Sequence, residues 1–309
     1  MPEPLLHWLT PVVDRSRVGI SYSAGGALLL VELGIAQAFI ELGVRPAAIA
    51  GVSAGAIAGT AHALDPVDGE GIAAAARALA SISNRRLGLT PLGVVWRAIM
   101  QRRHLASLGD NAAIEGLLAD GFRRLTGSDR LTFGRFGRDG RPKLIVGAAD
   151  RLQGEPVWFP DDSDVAEALV ASSAIPGLFP PRRLRVAGLE RLLVDGSVVG
   201  DQPISALALD GCGTIYACAV GYDGERLAAP GNLVDNALRS LSILRHQAAR
   251  LEQEYVQLRM GDRGVIHHIH PEVVFPVKGF NFTPDLITRV MRDACEATKR
   301  WLTQQRLLP

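Results

Sequence analysis

Lysine is almost absent from this chain. Among 309 residues it occurs only at Lys143, Lys278 and Lys299, so arginine carries nearly all the positive charge. Basic residues number 33 against 32 acidic ones, a formal net charge of +1. Nucleic-acid-binding domains usually show a clear basic excess, and nothing global argues for that class here. Cysteine is scarce too. Cys212, Cys218 and Cys295 are odd in number and widely spaced, and no CxxC pair exists. A disulfide framework and a CxxC metal or redox centre are therefore not expected, and buried free thiols are. No uninterrupted apolar run reaches transmembrane length, the longest lying around Ala24 to Val31. Met1 to Leu9 lacks a basic start followed by an apolar stretch, so no signal peptide is expected either. The expectation is a cytoplasmic protein, with peripheral contact at a membrane surface left open. No repeat or low-complexity tract is visible. What is present, 48% hydrophobic and 21% charged residues, is ordinary for a soluble globular fold.

The order of elements is informative. Arg17 to Tyr22 is a short β-prone segment, followed by Ser23-Ala24-Gly25-Gly26 and an apolar run, Ala27 to Leu42, long enough for a helix. Gly43 is placed to end that helix. Ala47 to Ala50 is a second strand candidate, leading into Gly51-Val52-Ser53-Ala54-Gly55 and a helical stretch to Leu64. Strand, glycine loop, helix, strand, sharp turn, helix is the grammar of a parallel α/β sheet. Further strand candidates are Lys143 to Ala148, Leu192 to Val194, Thr214 to Val220 and Val265 to Ile269. They alternate with helical stretches Ser163 to Ser172, Leu233 to Leu258 and Pro284 to Leu302. Between Asp65 and about Arg130 the chain reads as mainly helical. One α/β domain over residues 1–309, with 65–130 as a helical insertion, is the expected organisation.

Gly51-Val52-Ser53-Ala54-Gly55 fits G-x-S-x-G. A serine on a strained strand-to-helix turn needs neighbours without a Cβ, hence Gly51 and Gly55 as elbow glycines. The turn lifts the hydroxyl to a helix N-terminus, where negative charge is favoured. Acyl transfer also needs N–H donors aimed at the developing oxyanion. Gly25, Gly26 and Ala27, between a strand and a helix, are the candidates, because glycine amides can turn toward a ligand without obstruction. A nucleotide phosphate loop is disfavoured, since neither GxGxxG nor a GK[ST] ending occurs.

The serine needs a group to take its proton. None of His7, His62, His104, His246, His267, His268 and His270 stands in the late-chain loop of a Ser-Asp-His hydrolase. His267, His268 and His270 alternate through a probable strand, and ordinary strand histidines are favoured over a metal cluster there. Leu193-Val194-Asp195-Gly196-Ser197 instead sets an acid at a strand end before a glycine, a pattern also compatible with a simple Asp-Gly turn.

With the elbow, the segment Ala171-Ser172-Ser173-Ala174-Ile175-Pro176, and Asp195-Gly196-Ser197 in that order, the chain resembles the patatin-like phospholipases. The resemblance covers Val18 to Leu64 and Ala171 to Leu207. It implies a three-layer sandwich with a mostly parallel central sheet flanked by helices. It also implies a Ser53–Asp195 dyad with no histidine, cleaving carboxylic esters of lipids without metal or cofactor. Two departures stand out. The family's glycine loop reads G-G-G-x-[RK]-G, whereas Ala24 to Leu29 here puts Leu28 and Leu29 at its basic residue and last glycine. The stretch after the Asp-Gly motif changes to Asp201-Gln202-Pro203.

Asn84 to Leu105 mixes Arg85, Arg86, Arg97, Arg102 and Arg103 with Leu92, Val94, Val95, Trp96, Ile99 and Met100. A helix packed on the core with its arginines in water is favoured over a lipid-binding element. Its place between elbow and base still makes this insertion the natural lid or acyl-chain entrance. Two rivals to a lipid ester hydrolase are an acyltransferase on a related fold and a weakly active descendant that binds acyl lipids or a protein. Val52, where such transferases carry histidine, argues against the first. Retention of both Ser53 and Asp195 argues against the second.

Overall fold

The computed structural model describes residues 11–90, 93–94, 107–128, 130–226, 231, 233–275 and 279–307. Its centre is an eight-stranded sheet: β1 (Asp14–Tyr22), β2 (Ala48–Val52), β3 (Lys143–Asp150), β4 (Glu155–Trp158), β5 (Arg182–Val186), β6 (Leu189–Asp195), β7 (Cys212–Cys218) and β8 (Val265–Ile269). The strand order is β5-β6-β3-β2-β1-β7-β8, with β4 paired to β3. Strands β3, β2, β1, β7 and β8 are parallel, and β4, β5 and β6 form an antiparallel margin. The helices are α1 (Leu29–Glu41), α2 (Ala54–Leu64), α3 (Glu70–Leu79), α4 (Ala112–Thr126), α5 (Val165–Ser172), α6 (Ile204–Leu209), α7 (Leu233–Met260) and α8 (Pro284–Gln304).

Strand alternation builds two cores, one on each face of the sheet. Ile20 and Tyr22 of β1, Ile49 of β2, and Tyr216 and Cys218 of β7 pack with α1, α2 and α8. Their neighbours Ala48, Ala50, Cys212, Ile215 and Ala217 face the other way, against Ile204 and Leu207 of α6 and Val256 and Met260 of α7. The result is a three-layer sandwich with a mostly parallel central sheet flanked by helices.

Helix α1 is buried along most of its length and ends as its sequence dictates. Gly43, at φ 71°, donates its N–H to Ile40 O, and Val44 donates to Phe39 O. This pair satisfies two terminal carbonyls in the left-handed cap that glycine alone adopts without penalty. The helix begins two residues later than the apolar run suggests, because Gly26–Leu28 forms a 3₁₀ turn instead. Helix α8 opens with Thr283 accepting from Leu286 N–H and proline at the first turn, a standard start signal. Three elements carry no usable sequence signal. β4 (EPVW) contains a proline, β5 (RRLRV) is a polar edge strand, and α6 has six residues. Cys212, Cys218 and Cys295 are buried and unpaired. No helix among the described residues is long and apolar enough to cross a membrane. Trp96, Arg97, Ile99, Met100, Arg102 and Arg103 of the arginine-rich stretch lie outside the described residues.

Candidate active site

Ser53 stands where β2 ends and α2 begins, with φ 53° and ψ −124°. A non-glycine residue held at positive φ costs of order 1–3 kcal/mol and needs surroundings that impose it. Here the turn is pressed so tightly that a Cβ on Gly51 would lie 2.3 Å from Gly55 O, and one on Gly55 2.3 Å from Ser23 O. No side chain fits at either position. The Ser53 N–H donates to Ser172 Oγ at 2.8 Å, and that hydroxyl donates to Gly147 O at 2.6 Å. Ser172, at the end of α5, thus ties the elbow to β3.

Asp195 arrives on β6, on the far side of β3. Ser53 Oγ donates to Asp195 Oδ2 at 2.6 Å, and Asp195 Oδ1 accepts the Ser197 N–H at 2.9 Å. Both side chains are almost fully buried, at 3% and 1% exposure. Burial pushes the Asp195 carboxyl above the ordinary aspartate range, opposed by its hydrogen bonds from Ser53 and Ser197 and by the Arg245 charge. A carboxylate made more basic is a better proton acceptor for a hydroxyl. Gly196 makes room for the crossing, since a Cβ there would lie 2.5 Å from Gly147 O.

Gly25, Gly26 and Ala27 form the turn between β1 and α1. Gly26 has φ 55°, and Leu28 N–H donates to Gly25 O at 3.0 Å to close it. No acceptor among the described residues takes the N–H of Gly25 or Gly26. Gly26, Ser53 and Ala54 share one wall of an apolar cavity of about 110 Å³. Residues of α2, α3 and α4 line it, together with Phe179, Phe280 and Phe282. Leu29 is buried on the cavity wall, and Leu28 packs half-buried against the core. The two leucines of the altered glycine loop therefore have apolar surroundings to fill.

The described histidines lie elsewhere, and His7 and His104 lie outside the described residues. His62 is buried behind the elbow, its Nδ1 2.9 Å from Tyr22 Oη, and burial pushes its pKa down to about 3. His267 stacks on Tyr216. His268 and His270 do meet an acid that spacing could not reveal. Asp223 lies 3.3 Å from His268 Nε2, and His246 and His270 approach it at 3.8 Å. Among the described residues no group of three His, Cys, Asp or Glu side chains has the geometry to hold a metal ion. Sequence reasoning passed over Ser172, quoted only within a motif, and Arg245, which no sequence signal separates from the other arginines of α7.

Residues 20–208, more than half of the chain, match the family model described as Patatin-like phospholipase. NTE family proteins of Mycobacterium tuberculosis and Mycobacterium bovis, themselves uncharacterized, are 29% identical over 210 residues, 68% of this chain and 50% of each relative. The chain thus spans about half the length of the curated relatives it matches. Among solved structures it is similar to human GIVD cytosolic phospholipase A2, with a TM-score of 0.48 and 12% identity over 97% of this chain and 62% of that one. VipD from Legionella pneumophila gives a TM-score of 0.45 and 16% identity over 95% and 67%. On the match over residues 20–208, the chain belongs to the patatin-like phospholipase family.

Proposed function

We propose that the protein is a serine acyl hydrolase that cleaves carboxylic esters of lipids, with Ser53 as nucleophile and Asp195 as its base. Ser53 Oγ attacks the ester carbonyl while its proton passes to Asp195. The tetrahedral oxyanion is taken by N–H groups of Gly25, Gly26 and Ala27. Collapse expels the alcohol, which receives the proton from Asp195, and leaves an acyl group on Ser53. Water then gives a proton to Asp195 and attacks the acyl-enzyme; the fatty acid leaves as Ser53 Oγ takes that proton back.

The observation that carries the reading is the 2.6 Å contact between a strained serine on the wall of an apolar cavity and a buried aspartate. A carboxylate is a weak base for an alcohol, so the dyad depends on oxyanion stabilisation, where one donor is worth about 10²–10³ in turnover. Family membership supports a lipid substrate. The cavity supports an acyl chain, because its lining is almost wholly apolar and residues of α3 and α4 form much of it. In this reading residues 65–130 are an insertion within one hydrolase domain that serves as acyl-chain chamber, and a lipid surface is met peripherally to deliver substrate.

The test is hydrolysis of a medium-chain nitrophenyl ester by the wild type and by Ser53→Ala, with and without detergent micelles. Turnover that disappears in the variant is the expected result. Absence of turnover in the wild type under both conditions would sink the proposal.

A further inference from the structure

The glycine loop is gripped from outside by a helix whose sequence gives no hint of it. Arg245, on α7, donates from Nη2 to Ala24 O at 2.6 Å and from Nε to Asp201 Oδ1 at 2.6 Å. The Asp201 main-chain oxygen in turn accepts the Ala24 N–H at 3.1 Å. The two peptide groups flanking Ala24 are therefore held by Arg245 and by the main chain of its ion-pair partner, Asp201.

The peptide joining Ala24 to Gly25 is trans, so its C=O and N–H point in opposite directions. Fixing Ala24 O on the guanidinium sends the Gly25 N–H away from Arg245. Left alone, this peptide has little to resist a flip. Gly25 and Gly26 both tolerate many backbone angles, and the neighbouring Gly26 already sits at φ 55°. A flip would put a carbonyl where the Gly25 N–H now stands. Resting on the Ser53–Asp195 reading, we propose that Arg245 is a positioning residue for the reaction, holding the Ala24–Gly25 peptide so that its N–H serves the oxyanion.

The same guanidinium stands within a nest of buried acids. Asp195 on β6, Asp201 in the loop before α6, and Glu32 on α1 all feel its charge, and each is pushed upward chiefly by burial. Asp195 raises Asp201, Glu252 lies close enough to Asp201 to be raised by it, and His246 lowers Asp201 from the neighbouring position on α7. Loss of the Arg245 charge would leave Asp195 harder to ionise.

The role separates from plain fold support by two readouts. In Arg245→Met, kcat for the nitrophenyl ester should fall about 10–100-fold, less than full loss of a donor, with KM changed less than threefold. The acid limb of kcat/KM should move to higher pH. Arg245→Lys keeps a charge without the two-pronged fork. It should leave the acid limb near that of the wild type while kcat stays depressed. Arg250→Met, on the exposed side of the same helix, is the control and should match the wild type. Wild-type kcat and an unmoved acid limb in Arg245→Met overturn the inference, as does a lowered melting temperature with no change in the pH profile. A wild type without Ser53-dependent turnover overturns the hydrolase reading, and the inference with it.

Discussion

Removing the Ser172 hydroxyl should damage the elbow without touching either member of the proposed dyad. The side chain is fully buried, accepts the Ser53 N–H and donates to Gly147 O. In Ser172→Ala the Ser53 N–H is left unpaired in the interior, which costs about 1–3 kcal/mol, and the carbonyl adds a smaller amount. A total of about 2–4 kcal/mol corresponds to a fall in Tm of about 3–6 °C for a protein of this size. The catalytic effect is separable. Ser53 is held at φ 53° by contacts that include this bond, and a displacement of about 1 Å at a nucleophile can cost about 10² in rate. Thermal melts and ester hydrolysis on the same preparations measure both. Ser172→Cys, close in shape but weaker in hydrogen bonding, should fall between wild type and alanine on each axis. Wild-type Tm together with wild-type turnover in Ser172→Ala would refute the reasoning. A lowered Tm with full turnover would show that the hydroxyl supports the fold without setting the nucleophile.

Asp195 accepts a proton only as a carboxylate, and its pKa is raised. The kcat/KM profile should therefore lose activity, as pH falls, at a point above the ordinary aspartate value near 3.8. Glu32 is fully buried, neither of its oxygens has a hydrogen-bond partner among the described residues, and burial raises its pKa well above the usual range. Its contribution to stability is complete below the unfolded pKa and is lost as pH rises through the folded one. Glu32→Gln should thus be more stable than wild type in alkaline urea melts, with the gap closing as pH falls. Gly121 lines the cavity with nothing within 4 Å of an added Cβ. Gly121→Leu should suppress long-chain ester hydrolysis while sparing acetyl and butyryl esters, and equal loss on all chain lengths would count against the acyl-chamber reading. A Cβ on Gly34 would lie 2.4 Å from Met291 O, so Gly34→Ala should force α1 and α8 apart and cost about 1–3 kcal/mol in a denaturant melt.

The parts of this molecule legible in its sequence are those written locally. The strand–turn–helix around Ser53 is one continuous stretch, and β8 falls on Val265–Ile269, the same bounds its β-branched pattern suggests. Gly43 announces the end of α1 because one residue carries the left-handed cap. Where the determinant is tertiary, the sequence is silent. Arg245 meets Ala24 across 221 positions, and Ser172 meets Ser53 across 119. The acid beside His268 lies 45 residues away, which spacing cannot reveal. Strands β4 and β5 escape for another reason. They sit at the antiparallel margin, where solvent accepts polar residues and a proline that a central strand would reject.

Because β3 separates the strand that ends in Ser53 from the strand that ends in Asp195, the two groups cannot meet until three strands are in register. Their separation of 142 residues makes this among the more distant contacts of the chain, and such contacts form slowly because a long loop must close first. An emerging polypeptide that has extended only through β3 holds the elbow sequence but lacks the acid. On refolding from urea, helical ellipticity should therefore recover before esterase activity. The chain acquires its shape in one interval and the Ser53–Asp195 pair in a later one, so under the proposed function a partly folded copy is not yet a hydrolase.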